Sequence, residues 1–570
     1  MPTPKVAVTV PIRSGVELSE DRPGAELSAA DRYWRAQAAA VQRIFALLYP
    51  GIRIQYLFKA LEGHMGTPDA VSIRAESQTR ADATPAIPDP RERAISYLDG
   101  PYLGDVVAGG TRGTAPELTV VAPVPRDPEG LAVHERTAPV FHRLVAAWAV
   151  RAAPVLFEEA KYRYEMRLKG QRRRRHEFTP VRRVPARLQD AAPDSRDTSR
   201  PPAILIGFHW LETGGAEKLA FDCVHWARAA GLRVIVIADK PAPQRLAARL
   251  LPEDPEVEFL RLDAYLPHGR LFEVLAALVR TENVRAIHIH HHLRLYDNLL
   301  KLKALFPDLQ VIDSTHIVEH RDGGFPRTSG VWTRYIDHHH VISHDLRSFY
   351  LDEFNVSQKV RLGRMLAPDA AAVDPVLRLE AGQKRLRLAF VGRMVHQKRA
   401  PLVVEITRRL SKWARKAGIE LQVDMVGTGA YLDVVRAMIR RAGLGGTIAL
   451  HAPDADVPAI LGRADILLLP SGNEGLALVC YEAIENGALP ISTDVGGQRE
   501  LVPAGLLVRP APLRCISDTV ARVQRLMGDP AFLADCKTQA LARYRELRRD
   551  ATAQEVVGAL YRDIATEAAQ

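Results

Sequence analysis

The stretch LLLPSGNEGLALVCYEAIENGALPISTDVGGQRE, residues 467–500, decides the fold predicted for this chain. An apolar run over residues 466–469 leads into it and is short enough for a buried parallel strand. A polar loop follows, and then a helical pattern over 476–485 that ends at an Asn-Gly pair, a usual helix stop. Residues 489–493 form the next strand before a Gly-Gly loop. This order predicts a βαβ unit, in which ligands bind at the carboxyl ends of the strands.

Two carboxylates lie eight residues apart in this unit. Glu474 stands at the loop-to-helix junction, and Glu482 follows two turns along the helix. A carboxylate can accept two hydrogen bonds from the vicinal hydroxyls of a ribose or a sugar, so the pair suits a nucleotide-sugar. Two glutamates at this spacing are, by themselves, equally typical of a helix surface.

The residues around the two carboxylates complete a longer pattern. They are Pro470-Ser471, Gly475, Ala483, Gly487, Pro490, Thr493, Gly496-Gly497 and Glu500. The whole pattern resembles the donor-site signature of the family-4 glycosyltransferases, retaining enzymes of GT-B fold with an E-x7-E motif. The resemblance covers about residues 203–510.

A second motif precedes this unit. An apolar strand over 386–391 runs into Gly392-Arg393-Met394-Val395-His396-Gln397-Lys398. The segment resembles the family's G-R-x-x-x-x-K motif, which implies that Arg393 and Lys398 hold the donor pyrophosphate. Two fixed cations would stabilise the charge that builds on a departing nucleoside diphosphate. The alternative is an Arg and a Lys at the exposed start of a helix. A strand over 421–426 then enters a turn at Gly427, suited to packing near the nucleotide.

The same alternation of strand and helix begins at residue 203. After a strand over 203–208, Gly214 and Gly215 open a helix whose N–H groups and dipole favour a phosphate. They resemble the family's first-domain glycine loop. His316 follows a strand over 311–314 and resembles the family's histidine that approaches the donor sugar. A packed loop histidine is the alternative.

A run of histidines ends the strand over 284–290. Its members are His288, His290, His291 and His292. Alternate strand residues share a face, which allows a zinc site, but no carboxylate or cysteine completes a ligand set of good spacing. We therefore predict that these residues line a ligand cleft. No metal site is predicted, and no cofactor is required beyond the donor itself.

The predicted fold class is α/β, of GT-B type, with two Rossmann-like domains facing a cleft and an N-terminal extension of uncertain fold. The expected domains are an extension over 1–198, an acceptor domain over 199–368 and a donor domain over 369–570 whose last helix returns to the first domain. In the extension, residues 64–116 are rich in turn formers and predict loops, and residues 5–12 suit a strand.

Composition agrees with a cytoplasmic, globular enzyme. Hydrophobic residues make up 47% and charged residues 25% of 570, and the four cysteines have no metal-binding or disulfide spacing. No apolar run of about 18 residues predicts a spanning helix. The net charge of +10 is concentrated in residues 161–187, which hold eleven Lys and Arg against two Glu. This segment is either a solvated connector or a peripheral contact with anionic lipid at the inner face of the membrane. No nucleic-acid partner is expected.

Three departures from the family pattern affect the donor site. Leu476 and Ala477 replace the usual Phe and Gly after Glu474-Gly475, and the methyl group of Ala477 restricts how closely backbone can approach a sugar. Arg399 replaces the glycine that commonly follows the motif lysine. Between the domains, LGRMLAPD at 362–369 replaces the usual Asn-Gly-Val-Asp.

The sequence predicts a retaining glycosyltransferase of hexosyltransferase type, moving a sugar from a nucleoside-diphosphate sugar to a glycan or lipid-linked acceptor. We expect a cell-envelope polysaccharide or glycolipid. The predicted catalytic residues are Glu474, His316, Lys398 and Arg393. The predicted donor-binding residues are Gly214, Gly215, Arg393, Lys398, Gly427, Glu474, Gly475, Leu476, Ala477, Glu482 and Gly497. Two alternatives stay open: a sugar-nucleotide 2-epimerase, and a non-catalytic scaffold that binds nucleotide-sugar.

Overall fold

Two large sheets organise the protein in a computed structural model. The structure describes residues 29–61, 72–75, 102–109, 117–125, 148–172, 196–212, 215–250, 254–267, 269–320, 322–366 and 375–569. The chain divides into two compact units. The first unit is Met1–Arg136, Val181–Asp313 and Leu560–Gln570, and the second unit is Thr137–Pro180 and Ser314–Ala559.

The first large sheet has seven strands. They are β5 (Ala203–Phe208), β6 (Arg233–Ala238), β7 (Val257–Leu260), β8 (Val284–His290), β9 (Gln310–Thr315), β10 (His338–Val341) and β11 (Val360–Leu362). Their order is β11-β10-β9-β8-β5-β6-β7. The strand order therefore reverses between β5 and β8, as in a Rossmann fold.

Helices alternate with these strands. They are α3 (Gly215–Ala229), α4 (Leu262–Tyr265), α5 (Leu271–Thr281), α6 (Leu293–Tyr296), α7 (Leu299–Leu305), α8 (Gly324–Val331) and α9 (His344–Phe354). β5 is buried at every position, which explains its uninterrupted apolar sequence.

The second large sheet has six strands, and all its neighbours run parallel. They are β12 (Arg385–Val391), β13 (Glu420–Val426), β14 (Ile448–His451), β15 (Ile466–Leu469), β16 (Leu489–Thr493) and β17 (Leu507–Val508). The order β14-β13-β12-β15-β16-β17 reverses between β12 and β15. The two strands at the reversal are aligned with Leu388 opposite Ile466.

The helices of this region pack around the second sheet and continue to the end of the chain. They are α10 (Ala400–Ala417), α11 (Leu432–Arg441), α12 (Val457–Leu461), α13 (Leu478–Glu485), α14 (Pro512–Gly528), α15 (Pro530–Leu547) and α16 (Ala553–Ala569). Midway along α16, Tyr561 belongs to the first unit, and its phenol oxygen lies 2.5 Å from Nδ1 of His288.

The described residues of the N-terminal region include a small mixed sheet and the helices that flank it in sequence. They are α1 (Ala29–Leu48), β1 (Ile54–Leu61), β2 (Ser72–Ala75), β3 (Tyr102–Ala108), β4 (Leu118–Pro125) and α2 (Pro154–Arg172). The sheet order is β2-β4-β1-β3, with β1 and β4 parallel. α1 packs against α5, and Arg43 on α1 pairs with the buried carboxylate of Glu282 at 2.5 Å. α2 belongs to the second unit.

Most predicted elements are confirmed, two differ, and one cannot be compared. The prediction of loops throughout 64–116 is wrong at β2 and β3. The helix predicted from residue 476 begins at Leu478, because Ala477 has extended backbone and takes the N-cap position. The predicted strand at 5–12 lies outside the described residues. Among the described residues, no helix is long and apolar enough to cross a bilayer.

Candidate active site

The reversal in the second sheet brings together the two loops that carry the strongest predicted residues. β12 continues into the segment with Arg393 and Lys398, and its neighbour β15 continues into the loop with Glu474. Strands that are parallel neighbours at a reversal leave a crevice beyond their carboxyl ends, because their helices depart to opposite faces. The candidate site lies at this point.

Lys398 and Glu474 meet there. Lys398 ends the short 3₁₀ helix His396–Lys398, and its Nζ lies 2.6 Å from Oε1 of Glu474. Their side chains are 17% and 8% exposed, so the ion pair is largely withdrawn from bulk water. Since water screens such a pair weakly, the two charges interact more strongly than an exposed pair would.

Arg393 stands at the start of the same segment and is exposed. Its backbone is held by the turn that contains Gly427. A Cβ at Gly427 would lie 2.2 Å from the carbonyl oxygen of Gly392, and the N–H of Met394 donates to the Thr428 carbonyl at 2.7 Å. Only glycine allows this approach, which explains why the predicted turn residue at 427 is a glycine.

The loop around Glu474 packs on the segment that begins with His316. A Cβ at Gly475 would lie 1.7 Å from the His316 carbonyl oxygen. The Asn473 side chain donates to the Val318 carbonyl at 2.8 Å, and Nε2 of His320 lies 2.8 Å from the Gly472 carbonyl. His316 is 7% exposed. The structure therefore brings His316 beside Gly475, the neighbour of Glu474.

The remaining predicted residues of this unit have mainly backbone roles. The Gly497 N–H donates to the Gly475 carbonyl at 2.5 Å, and the Ala477 N–H donates to the side chain of Gln498 at 2.8 Å. Leu476 and Ala477 are buried, and Glu482 is half-buried on α13. The amides of Gly497 and Ala477 thus fix the loop that carries Glu474.

The glycine loop predicted for phosphate binding is only partly described. Gly214 lies outside the described residues, and Gly215 is the first residue of α3 in the first unit.

The histidine run is mostly buried in the first unit. The prediction that it lines a ligand cleft is wrong for His288, His290 and His292, which are at most 3% exposed. Burial lowers the pKa of His292 to about 4, so its ring is neutral at pH 7, and its Nδ1 accepts a hydrogen bond from the Leu295 N–H. These side chains complete a core at the strand end.

One group in the described residues has ligand atoms close enough for a metal ion. Cys223, His288 and His290 place one such atom each within 4.8 Å of one another. The phenol of Tyr561 hydrogen-bonds with His288 and with Cys223. Burial raises the pKa of the Cys223 thiol well above its usual value, so the thiol is protonated within this group. We interpret the group as a hydrogen-bonded core.

The structure explains how the chain accommodates Arg399, which stands where the family pattern has a glycine. Its backbone is left-handed, with φ of 50°, a conformation that favours glycine. Its guanidinium is buried, donates to the Pro510 carbonyl at 2.6 Å and lies 5.2 Å from the centre of the Tyr162 ring on α2. Packing against α2 offsets the backbone strain.

The contacts of Arg364 explain a second departure, the segment LGRMLAPD in place of the usual Asn-Gly-Val-Asp. It is 2% exposed and pairs with Glu500 at 2.5 Å and with Asp550 at 2.6 Å. Glu500, part of the predicted signature, therefore binds a buried arginine in this protein. The sequence contained no local signal for this network, because its three members are far apart along the chain.

Comparison with known proteins identifies the class of this part of the chain. Residues 378–542, which include the second sheet, match the family model described as glycosyl transferases group 1. This part of the chain is therefore a glycosyltransferase domain, and the predicted enzyme class is confirmed. The predicted fold class, with two Rossmann-like sheets of GT-B type, is also confirmed.

Particular relatives share part of their length with this chain. A D-inositol 3-phosphate glycosyltransferase of Arthrobacter sp. (strain FB24) is 26% identical over 317 residues, which cover 51% of this chain and 72% of the relative. The lipopolysaccharide core biosynthesis mannosyltransferase LpcC of Rhizobium leguminosarum bv. viciae is 26% identical over 35% of this chain and 56% of its own. The solved structure of the pneumococcal O-GlcNAc transferase GtfA, in complex with UDP and GlcNAc, aligns at 11% identity and a TM-score of 0.49, covering 65% of this chain and 99% of that one.

Proposed function

We propose that the protein is a retaining glycosyltransferase that moves a hexose from a nucleoside-diphosphate sugar to a hydroxyl of an acceptor. The observation that carries the proposal is the 2.6 Å contact between Lys398 and Glu474 at the reversal of the second sheet. The ammonium of Lys398 suits an anionic diphosphate, and the carboxylate of Glu474 suits sugar hydroxyls. The two groups occupy adjacent positions.

The roles follow from these charges. Arg393 and Lys398 bind the diphosphate. Of the two glutamates of the E-x7-E pattern, Glu474 accepts hydrogen bonds from the donor sugar and Glu482 accepts them from the ribose of the nucleotide. His316 lies near the reacting carbon. Gly475 and the other predicted glycines allow backbone to approach the donor. The reaction needs no metal and no cofactor.

In the transfer step, the bond between the anomeric carbon and the diphosphate oxygen breaks. The acceptor hydroxyl oxygen bonds to that carbon on the face that the diphosphate leaves, and its proton passes to the departing diphosphate. Negative charge builds on the diphosphate, and the cations of Lys398 and Arg393 stabilise it. A pocket closed to water would keep water from taking the acceptor's place.

A panel of nucleoside-diphosphate sugars tests this function. We expect at least one donor to raise the melting temperature and to be hydrolysed slowly in the absence of acceptor, since water then serves as acceptor. Mass spectrometry of products with added glycan or lipid-linked acceptors should show a mass increase of one sugar. An isomerised donor would instead identify an epimerase, and binding without any turnover a scaffold protein.

We further propose a cell-envelope polysaccharide or glycolipid as acceptor, with the enzyme at the cytoplasmic face of the membrane. One relative is, by its name, a mannosyltransferase of lipopolysaccharide core biosynthesis. Trp148 and Tyr164 are 71% and 63% exposed in the second unit, close in sequence to the basic segment 161–187. Exposed aromatic rings beside basic residues are typical of contact with anionic lipid.

Binding to vesicles is expected to depend on the basic segment. Replacing Arg172, Arg173, Arg174 and Arg175 by glutamine should weaken binding to phosphatidylserine-containing vesicles by roughly 10³-fold, because each basic residue contributes about 1 kcal/mol. Co-sedimentation at low salt measures the effect.

The matched control removes the same charge elsewhere. It replaces four exposed arginines on α11 and α15 or just after it: Arg436, Arg440, Arg545 and Arg549. Binding that falls equally in both variants would indicate a non-specific charge effect. Unchanged binding in the first variant would exclude the membrane contact.

A further inference from the structure

α2 places a buried carboxylate beside the segment 392–399, which carries Arg393 and Lys398. Glu158 on α2 is fully buried, although it is ionisable and remote in sequence from the second sheet. One of its carboxylate oxygens lies 2.7 Å from Nδ1 of His396 and 3.7 Å from Nε of Arg399. Burial, together with the nearby charge of Glu158, raises the pKa of the Tyr431 phenol. A buried charge needs such partners, because transfer out of water is costly.

The partners of Glu158 belong to the two segments that shape the candidate diphosphate site. His396 begins the 3₁₀ helix that Lys398 ends, and Arg399 follows Lys398 directly. Tyr431 follows the turn at Gly427, and its N–H donates to the Met394 carbonyl at 2.8 Å. A single carboxylate therefore contacts a residue on each side of Lys398, and Tyr431 near it connects to the start of the motif.

The electrostatics of the contact agree with this arrangement. Burial alone would lower the pKa of His396, but the nearby carboxylates of Glu158 and Glu165 raise it above the usual value, while Lys161 opposes them. Arg399 is 1% exposed, so its guanidinium depends on the partners that the fold supplies. Removing the negative charge of Glu158 would leave the cationic groups around it with weaker compensation.

Resting on the proposed function, we propose that Glu158 is a positioning residue for the transfer reaction. From outside the matched glycosyltransferase domain, it holds the turn 396–399 in the conformation that presents the Lys398 ammonium to the donor diphosphate. α2 is then part of the donor site. The family pattern places a glycine after the motif lysine, whereas this chain uses Arg399 and a helix that packs on it.

Nucleotide affinity tests the proposal with a control from the same helix. Glu159 is the next residue on α2, but its carboxylate pairs instead with Arg163 and accepts a hydrogen bond from the Leu513 N–H at the start of α14. Calorimetry with UDP, GDP and ADP should show that Glu158→Gln lowers the affinity for the best-bound nucleotide by about tenfold. This is the scale on which loss of a supporting contact lowers the affinity of a ligand-binding group. Glu159→Gln should leave this affinity within about twofold, a change of roughly 0.4 kcal/mol.

A double-mutant cycle separates positioning from general stability. If Glu158 acts through Lys398, Glu158→Gln should change nucleotide affinity less than about twofold in a Lys398→Ala background, because coupled residues are not additive. An equal loss in both backgrounds, or an equal loss from Glu159→Gln, would overturn the proposal. Should Glu158→Gln fail to fold, His396→Gln removes one partner of the carboxylate and is expected to give the same loss and the same non-additivity.

The outcomes also separate this inference from the function on which it rests. A wild-type protein that binds none of the three nucleotides contradicts both. A wild-type protein whose affinity falls on Lys398→Ala but not on Glu158→Gln or His396→Gln contradicts only the positioning role. Hydrogen exchange of the ligand-free protein gives a second readout: the amides of 396–399 should exchange faster in Glu158→Gln and not in Glu159→Gln.

Discussion

Replacement of Lys398 by alanine is expected to lower kcat for sugar transfer by roughly 10²- to 10³-fold, the usual consequence of removing a group that stabilises charge in the transition state. The expectation rests on the position of its ammonium, 2.6 Å from Glu474 and 17% exposed. In such a setting a cation acts on the departing diphosphate with little screening by water. Initial rates with the donor identified by the panel measure the loss.

Lys412→Ala is the matched control, since Lys412 is an exposed lysine on α10. Its kcat should stay close to that of the wild type. The melting temperatures of both variants must be compared as well, because Lys398→Ala leaves the Glu474 carboxylate buried without its cation. Near-normal turnover of a folded Lys398→Ala protein would remove this lysine from the mechanism.

Replacement of Gly475 by alanine is expected to destabilise the protein by about 3–5 kcal/mol and to lower kcat/KM by about 10²-fold. A Cβ at 475 would lie 1.7 Å from the His316 carbonyl oxygen, so the two loops must separate. Overpacking of this kind costs about 1–3 kcal/mol. Separation also breaks the hydrogen bonds of Asn473 and His320, each contributing about 1 kcal/mol. A displacement of about 1 Å near reacting groups is enough for the loss of activity.

Gly446→Ala provides the comparison for this substitution. Gly446 is exposed, and no atom lies within 4 Å of a Cβ built there. Its free energy of unfolding, measured by urea denaturation, should change by less than about 0.5 kcal/mol. A Gly475→Ala protein as stable as Gly446→Ala would show that the packing of the two loops is not maintained in solution.

The strands of the second sheet could be predicted because parallel strands are buried on both faces. β15 is buried at every position, which leaves the continuous apolar run ILLL in the sequence. Turn residues mark their carboxyl ends, so the loops that carry Lys398 and Glu474 were also visible. The sequence could not give their separation, because that depends on which strands are neighbours.

The N-terminal region was harder to predict for a related reason. β2 and β3 are short strands within a stretch rich in turn formers, and β1 pairs in parallel with β4, about 60 residues away. Pairing with distant strands, rather than local pattern, stabilises such segments. Local propensity therefore pointed to loops.

The histidines show the same limit at the level of single side chains. A strand ending in several histidines is compatible with a ligand site, a metal site or a core. The phenol of Tyr561, 273 residues beyond His288, completes the hydrogen bonding that makes it a core. No spacing in the sequence contains this information.

The sequence by itself determined the class of fold and the residue types at the candidate site, because apolar periodicity and motif spacing are local properties of the chain. Only the tertiary structure decided which charges meet. Lys398 pairs with Glu474 because β12 and β15 are neighbours, and Glu158 reaches His396 and Arg399 because α2 packs against the second sheet's loops. The energy of an electrostatic interaction falls with the distance between the charges in space, and the separation of two residues along the chain does not reveal that distance.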